Sequence, residues 1–326
     1  WINVKSSELS PGAWNSSIRI RSLEVEPKEA AARLAIHVSE AALPETQALN
    51  LCHWGYVHTS VLKDMPQAAI DDQVAHGTNV FVATNTFVPK AEFDADGNIV
   101  GDLDFSALDE YVLKHSPFGT ILFFNYQSKL KGPAKHFTPL WEKAHAAWLQ
   151  LWFEHMKSLG IDYSKYALYP IDEPGLREGL VDDHISYAKV IRQVDENVQI
   201  YTDPVAGATM ADLKKMADYV DIWCPNRGGY LLDIGLDKLA FIKSTGQTVW
   251  TYECAGNAKH QSPLGYYRAQ SWMAWHYGLT GIGFWSYCTA RHDPWYTPVG
   301  GQDYLLIYQG DGVVSSKRWE AIRDGK

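Results

Sequence analysis

A basic stripe is what this sequence most plainly lacks. Its 29 Lys and Arg stand against 38 Asp and Glu, and the formal net charge of −9 is spread through interspersed signs. Nothing in it would neutralise a phosphate backbone, so no nucleic-acid partner is expected. Long apolar runs are missing too: no stretch approaches the roughly 20 residues of a membrane span. Cysteine is scarce, and Cys52, Cys224, Cys254 and Cys288 show no CxxC spacing. Each lies in or at the end of an apolar run, which reads as a buried free thiol rather than a zinc ligand or a disulfide framework. The 12 histidines include no His-x-x-x-His or His-Glu-x-x-His pair, which argues against a catalytic zinc; no metal and no cofactor is expected. The chain opens at Trp1 with neither a methionine nor an apolar signal core, as a chain whose leader was removed, or a fragment, would. A secreted or periplasmic location is the corresponding expectation.

Aromatic residues are abundant, with 13 Trp and 18 Tyr. Many belong in a core, yet such rings also form the flat apolar platforms on which sugars stack. Residues 1–45 alternate polar and apolar positions in Ser17-Ile-Arg-Ile-Arg21 and Arg33-Leu-Ala-Ile-His-Val38, the pattern of antiparallel strands. Leu43-Pro44 then leads into a second region, 46–326.

There the rhythm is strand, helix, strand. Apolar runs occur at Leu49–Tyr56, Thr78–Thr84, Gly119–Tyr126, Tyr166–Ile171, Gln199–Asp203, Val220–Cys224, Thr248–Cys254 and Gly281–Tyr287. Helical spacing is clearest in Pro139–Leu159, where Leu140, Trp141, Ala144, Trp148, Leu151 and Trp152 recur on one side. Eight strands alternating with helices close most economically into an α/β fold of the (β/α)8 TIM-barrel type, because parallel strands need helical crossovers. An open doubly wound sheet is the competitor, and it lacks a Gly-rich phosphate fingerprint after the first strand. The segment Phe93-Asp-Ala-Asp-Gly-Asn-Ile99 has carboxylates spaced as in a calcium loop, but its twelfth position from Asp94 is Phe105 rather than Glu, so it reads as a hairpin insertion.

In a barrel the functional groups sit at the carboxyl ends of the strands. Position alone therefore nominates Trp54 and Tyr56, Asn85, Asn125, Asp172 with Glu173, Asp203, Asn226 with Arg227, Tyr252 with Glu253, and Trp285 with Tyr287. The set contains carboxylates, amides and aromatics, without a Ser-His pair or a strand-end lysine. That inventory suits glycoside hydrolysis, which needs an acid for the leaving oxygen, hydrogen bonds for hydroxyls and rings to stack on. The apolar run Tyr166–Ile171 ends in Asp172, Glu173 and Pro174, and these adjacent acids are the expected catalytic pair. Two carboxylates this close resist double ionisation, so one pKa should rise.

Two mechanisms fit. In one, Glu173 is acid/base and Glu253 the nucleophile, roughly 5 Å apart across the mouth. In the other, the sugar's own 2-acetamido oxygen attacks, Asp172 holds the acetamido N–H and Glu173 protonates the leaving group; only this version gives both adjacent acids a task. A non-catalytic carbohydrate-binding barrel is the third reading.

Several segments together resemble glycoside hydrolase family 123, whose characterised members are β-N-acetylgalactosaminidases: Tyr169-Pro-Ile-Asp-Glu-Pro174, Trp272-Met-Ala-Trp-His-Tyr-Gly-Leu-Thr-Gly-Ile-Gly-Phe-Trp-Ser-Tyr287, and Tyr308-Gln-Gly-Asp-Gly312 followed by Ser316-Lys-Arg-Trp-Glu-Ala-Ile-Arg-Asp-Gly325. Ser10-Pro-Gly12 and Leu43-Pro44 resemble the end of that group's amino-terminal β-sandwich. The resemblance implies a barrel preceded by a partial sandwich, and substrate-assisted hydrolysis of terminal β-linked N-acetylgalactosamine or N-acetylglucosamine by Asp172 and Glu173. A glycan or glycoconjugate is the implied partner. The seventh strand, Trp250-Thr-Tyr-Glu-Cys-Ala255, departs from the family pattern at Glu253 and Ala255, where an apolar residue and a second cysteine are expected.

Overall fold

The structure is a computed structural model describing residues 4, 8–41, 48–130, 132–254, 260–289, 295 and 304–326. The chain divides into two compact units, Trp1–Gln47 and Ala48–Lys326. In the first, β1 (Gly12–Arg21) and β2 (Glu29–Val38) pair antiparallel from Gly12 opposite Val38 to Arg21 opposite Glu29.

The second unit is a (β/α)8 barrel. Its strands are β3 (Asn50–Cys52), β4 (Val80–Thr84), β7 (Thr120–Phe124), β8 (Tyr166–Tyr169), β9 (Gln199–Thr202), β10 (Ile222–Trp223), β11 (Thr248–Glu253) and β12 (Gly281–Phe284), and they close in chain order. Every neighbouring pair is parallel. Between β4 and β7 the hairpin β5 (Lys90–Phe93) and β6 (Ile99–Asp104) is inserted. The Asp94 carboxylate organises its turn, accepting from the backbone N–H of Asp96 at 3.0 Å and of Asn98 at 2.8 Å.

The helices α1 (Pro66–Ala75), α2 (Ser106–His115), α3 (Pro139–Ser158), α4 (Leu180–Val194), α5 (Met210–Met216), α6 (Arg227–Tyr230), α7 (Leu236–Ser244), α8 (Ala269–His276) and α9 (Lys317–Gly325) surround the strands. The long α3 starts where Thr138 accepts from the Trp141 N–H and Pro139 occupies the first turn, a position where proline's missing donor costs nothing. Its buried face carries Trp141, Trp148 and Trp152. No helix among the described residues is long and apolar enough to cross a membrane.

Strand alternation sorts the apolar residues into two layers. Leu122, Ala167, Tyr169, Tyr201, Ile222, Cys224, Trp250 and Tyr252 pack together inside the barrel, whereas Ile121, Phe123, Tyr166, Leu168 and Ile200 pack with α2, α3 and α4 outside it. Two glycines on β12 complete the inner layer. A Cβ on Gly281 would lie 2.6 Å from the Trp250 ring, and one on Gly283 would lie 2.6 Å from the Trp54 ring. The small residues of β12 thus leave the volume that two indoles fill.

Several strands are shorter than their apolar runs. The run Leu49–Tyr56 gives a strand only over Asn50–Cys52, since Trp54 takes a left-handed backbone with φ +37°. Helix α8 is preceded by a π-helical turn over Pro263–Arg268. None of the four cysteines is paired; Cys52, Cys224 and Cys288 are buried and Cys254 is partly exposed.

Candidate active site

The turn that ends β8 places the two adjacent acids. Tyr169 is the last inward residue of the strand, and the chain then turns through Asp172 and Glu173, whose φ of +49° is left-handed. Trp54 and Asn125, with φ of +37° and +43°, make the same excursion beyond β3 and β7. Non-glycine residues seldom adopt that conformation, and where they do it often re-aims side chains at a site. Gly175 locks the turn from behind: a Cβ there would lie 2.3 Å from the Ala208 nitrogen. The Val205 N–H donates to the Pro174 carbonyl at 3.2 Å, so the loop after β9 buttresses the acidic turn.

Asp172, Glu173 and Asp203 share a cavity of about 250 Å³ with Trp54, Tyr56, Tyr169, Tyr252, Cys254 and Trp285. Tyr169 donates to Asp172 Oδ1 at 2.9 Å and is also hydrogen-bonded to Asp203 Oδ2. Asp203 Oδ1 accepts from the Glu173 backbone N–H at 3.0 Å. Tyr252 donates to Glu173 Oε1, and its ring lies 5.6 Å from that of Trp54. The Tyr56 hydroxyl is hydrogen-bonded to the Trp285 side chain.

The acids differ in solvation. Asp203 is only 2% exposed, and burial, followed by the charge of Asp172, pushes its pKa well above the ordinary carboxylate range. Asp172 keeps a solvent-facing side, yet the protein atoms crowded round its carboxyl raise its pKa to about 6, with Glu173's charge adding to the rise and Tyr169 and Arg177 opposing it. Burial likewise drives the Cys254 thiol to about 12, which disfavours the nucleophilic thiolate.

Six nominated residues, Arg227 among them, lie elsewhere. Glu253 is on the outward register of β11, between inward Tyr252 and Cys254; it is 9% exposed, pairs with Arg227 Nη1 at 3.0 Å and accepts the Cys254 N–H. Asn226 caps α6, its side chain accepting from the Gly228 N–H at 3.0 Å. Tyr287 lies beyond the end of β12, where alternation no longer applies, and it donates to Asp72 of α1 at 2.9 Å. Asn85 lines an open groove with the β5–β6 hairpin. Asn125 contributes its backbone N–H to the Tyr169 carbonyl at 2.8 Å and is outside the acid-lined cavity. Strand ends alone do not distinguish these residues; strand parity separates Tyr252 from Glu253 and also marks Tyr169, whose hydroxyl links two of the acids. A second cavity of about 280 Å³ lies against α1 and α2, with Ile70, Phe81 and Tyr111 in its wall, away from the converging acids.

The pattern describing the catalytic domain of glycoside hydrolase 123 matches residues 124–326, more than half of the chain. The chain belongs to glycoside hydrolase family 123. Among solved structures this family 123 member is similar to a family 123 glycoside hydrolase from Clostridium perfringens, described for the details of glycolipid glycan hydrolysis, with 15% identity and a TM-score of 0.69. That match covers 97% of this chain but 64% of the other. A monomeric β-xylosidase from Caulobacter crescentus CB15 matches with 13% identity and a TM-score of 0.56, over 87% of this chain and 69% of its own. An endo-β-1,4-mannanase from Thermotoga petrophila matches with 14% identity and a TM-score of 0.55, over 86% and 76%. At such identities these likenesses concern the fold. No curated protein matches in sequence.

Proposed function

We propose that this family 123 member is a retaining exo-glycosidase that removes a terminal β-linked N-acetylhexosamine, N-acetylgalactosamine before N-acetylglucosamine, by substrate-assisted catalysis. The observation that carries the reading is the pairing of Asp172 and Glu173 in one small cavity while Glu253 is held outside it by Arg227. A two-carboxylate mechanism using Glu253 would need that acid turned into the mouth. Asp203, the remaining acid of the cavity, is sealed from solvent with its pKa raised, which makes it a poor nucleophile.

In the proposed reaction Glu173 donates a proton to the glycosidic oxygen as the C1–O bond breaks. The acetamido carbonyl oxygen closes on C1 from the opposite face, forming a cyclic oxazolinium. Asp172 accepts the acetamido N–H and opposes the developing positive charge, a contact that strengthens in the transition state. Glu173, now ionised, takes a proton from water as the water adds to C1 and the oxazolinium C1–O bond breaks, which restores the acetamido group and retains the configuration. Trp54, Trp285, Tyr56 and Tyr252 supply ring faces and hydroxyls around the sugar. The cavity lies near the lower limit of ligand pockets, roughly 300–1,000 Å³, which suits a terminal sugar. The similar enzyme from Clostridium perfringens makes glycolipid glycans the first natural substrates to screen.

The test is a comparison of aryl β-glycosides of GalNAc, GlcNAc, galactose and glucose. The proposal expects turnover of the 2-acetamido sugars only; a galactoside cleaved as fast as its acetamido counterpart contradicts it.

A further inference from the structure

The hydrogen bonds beneath the acidic turn fix the position of a proton. The Tyr169 hydroxyl has one hydrogen, yet it faces both Asp172 Oδ1 and Asp203 Oδ2 within hydrogen-bond distance. One carboxyl can receive that hydrogen; the other must bring its own, or two oxygens meet lone pair to lone pair. The remaining oxygen of Asp203 accepts from the Glu173 backbone N–H, as the carbonyl oxygen of a neutral acid does. Asp203 is enclosed, whereas Asp172 retains a solvent-facing side, so the uncharged form belongs on Asp203.

We infer that Asp203 is a neutral positioning acid, and that a directed chain runs from the Glu173 N–H to Asp203, from Asp203 Oδ2–H to Tyr169, and from Tyr169 to Asp172. The chain holds the Glu173 backbone and keeps Asp172 the hydrogen-bond acceptor. Asp203 is then not a substrate ligand, although the strand-end rule nominated it as one. The inference rests on the proposed role of Asp172 only where activity is the readout.

The groups around Asp203 are acids or weak acids: Asp172 and Glu173 on the turn, Tyr169 and Tyr201 on β8 and β9, Tyr252 on β11, Tyr56 after β3, and the thiols Cys52 and Cys224. The cation Arg177 acts on Asp172. Ionising Asp203 would therefore place a second negative charge among like neighbours. A comparable arrangement, a carboxylic acid kept neutral to donate a hydrogen bond, is known in another enzyme class.

Asp203→Asn matches the shape of the neutral acid and keeps both links, with Oδ1 accepting from Glu173 and one Nδ2–H donating to Tyr169. Asp203→Ala removes both links. The expected result is a loss of about 10²-fold in kcat for the Ala variant through misplacement of the acids, with the Asn variant restoring activity to within about tenfold of wild type. The acidic limb of kcat/KM should keep its place in the Asn variant and move to higher pH in Tyr169→Phe, which deprives the Asp172 carboxylate of a donor. Infrared difference spectra of wild type against Asp203→Asn, near neutral pH and without substrate, should show the carbonyl stretch of a protonated carboxylic acid in wild type only. An Asn variant as impaired as the Ala variant, a shifted acidic limb in it, or no protonated-acid band overturns the inference. The spectroscopic arm stands even if no acetamido glycoside is cleaved.

Discussion

At the residue scale the site depends on which acids carry charge. Glu173→Gln should lower turnover of natural linkages by about 10²–10⁴-fold, the usual range for removing a general acid. Aryl substrates with good leaving groups should suffer less, because their departing oxygen needs less help from a proton. Steady-state rates on both substrate types measure the difference. In the proposed mechanism Asp172, with its pKa pushed up to about 6, must be ionised to accept the acetamido N–H. The kcat/KM profile should therefore fall as pH drops through about 6. Asp203 leaves a mark on stability as well. Because its folded pKa is raised, the native state holds a proton that the unfolded chain releases above the ordinary carboxylate range. Stability is fullest below that range and declines as pH rises, by up to about 1.4 kcal/mol per pH unit for one such group. Asp203→Asn, which cannot ionise, should flatten this decline and raise Tm at neutral pH, as thermal unfolding across pH would show.

At the element scale the strands decide what a carboxylate can do. In β11 the alternation that turns Trp250 and Tyr252 inward turns Glu253 outward to Arg227, so Glu253→Gln should retain turnover within about tenfold while weakening a largely buried ion pair. A loss as large as that of Glu173→Gln would restore the two-carboxylate mechanism. The small residues of β12 carry an equal burden: Gly283→Ala brings a Cβ within 2.6 Å of the Trp54 ring, an overpacking expected to cost about 1–3 kcal/mol. Activity should fall with it, since the displaced indole lines the cavity. Denaturant titration and kinetics on the same variant check both effects. Much of this scale was legible in the sequence. Apolar runs located the eight strand regions, because burial on both faces of a parallel strand leaves a continuous apolar run, and the 3.6-residue period located the long α3. The strand limits were less legible. Left-handed residues such as Trp54 and Asn125 end pairing through backbone torsion, which apolar content does not encode. The Tyr169–Asp203 contact depends on the register between two strands, and a linear sequence shows it only once the barrel is closed.

At the scale of the whole molecule, the closed barrel brings distant parts of the chain to one mouth. Trp54 and Trp285, 231 positions apart in the numbering, line the cavity with the turn after β8. Closure makes strand ends good predictors of the site's neighbourhood but poor predictors of its members, because caps and ion pairs compete for the same residues. Asn226 went to a helix cap and Tyr287 to Asp72, each satisfying polar groups that burial would otherwise leave unpaired. The family motif around Asp172 and Glu173 could be read directly because it is local; the support beneath it comes from β9 and β11.

The proposed mechanism depends most directly on the substrate's 2-acetamido group. Rates of hydrolysis of an aryl β-N-acetylgalactosaminide and the matching aryl β-galactoside, measured side by side, decide it. Substrate-assisted catalysis requires turnover of the first and none above background of the second; equal rates for the two would contradict it.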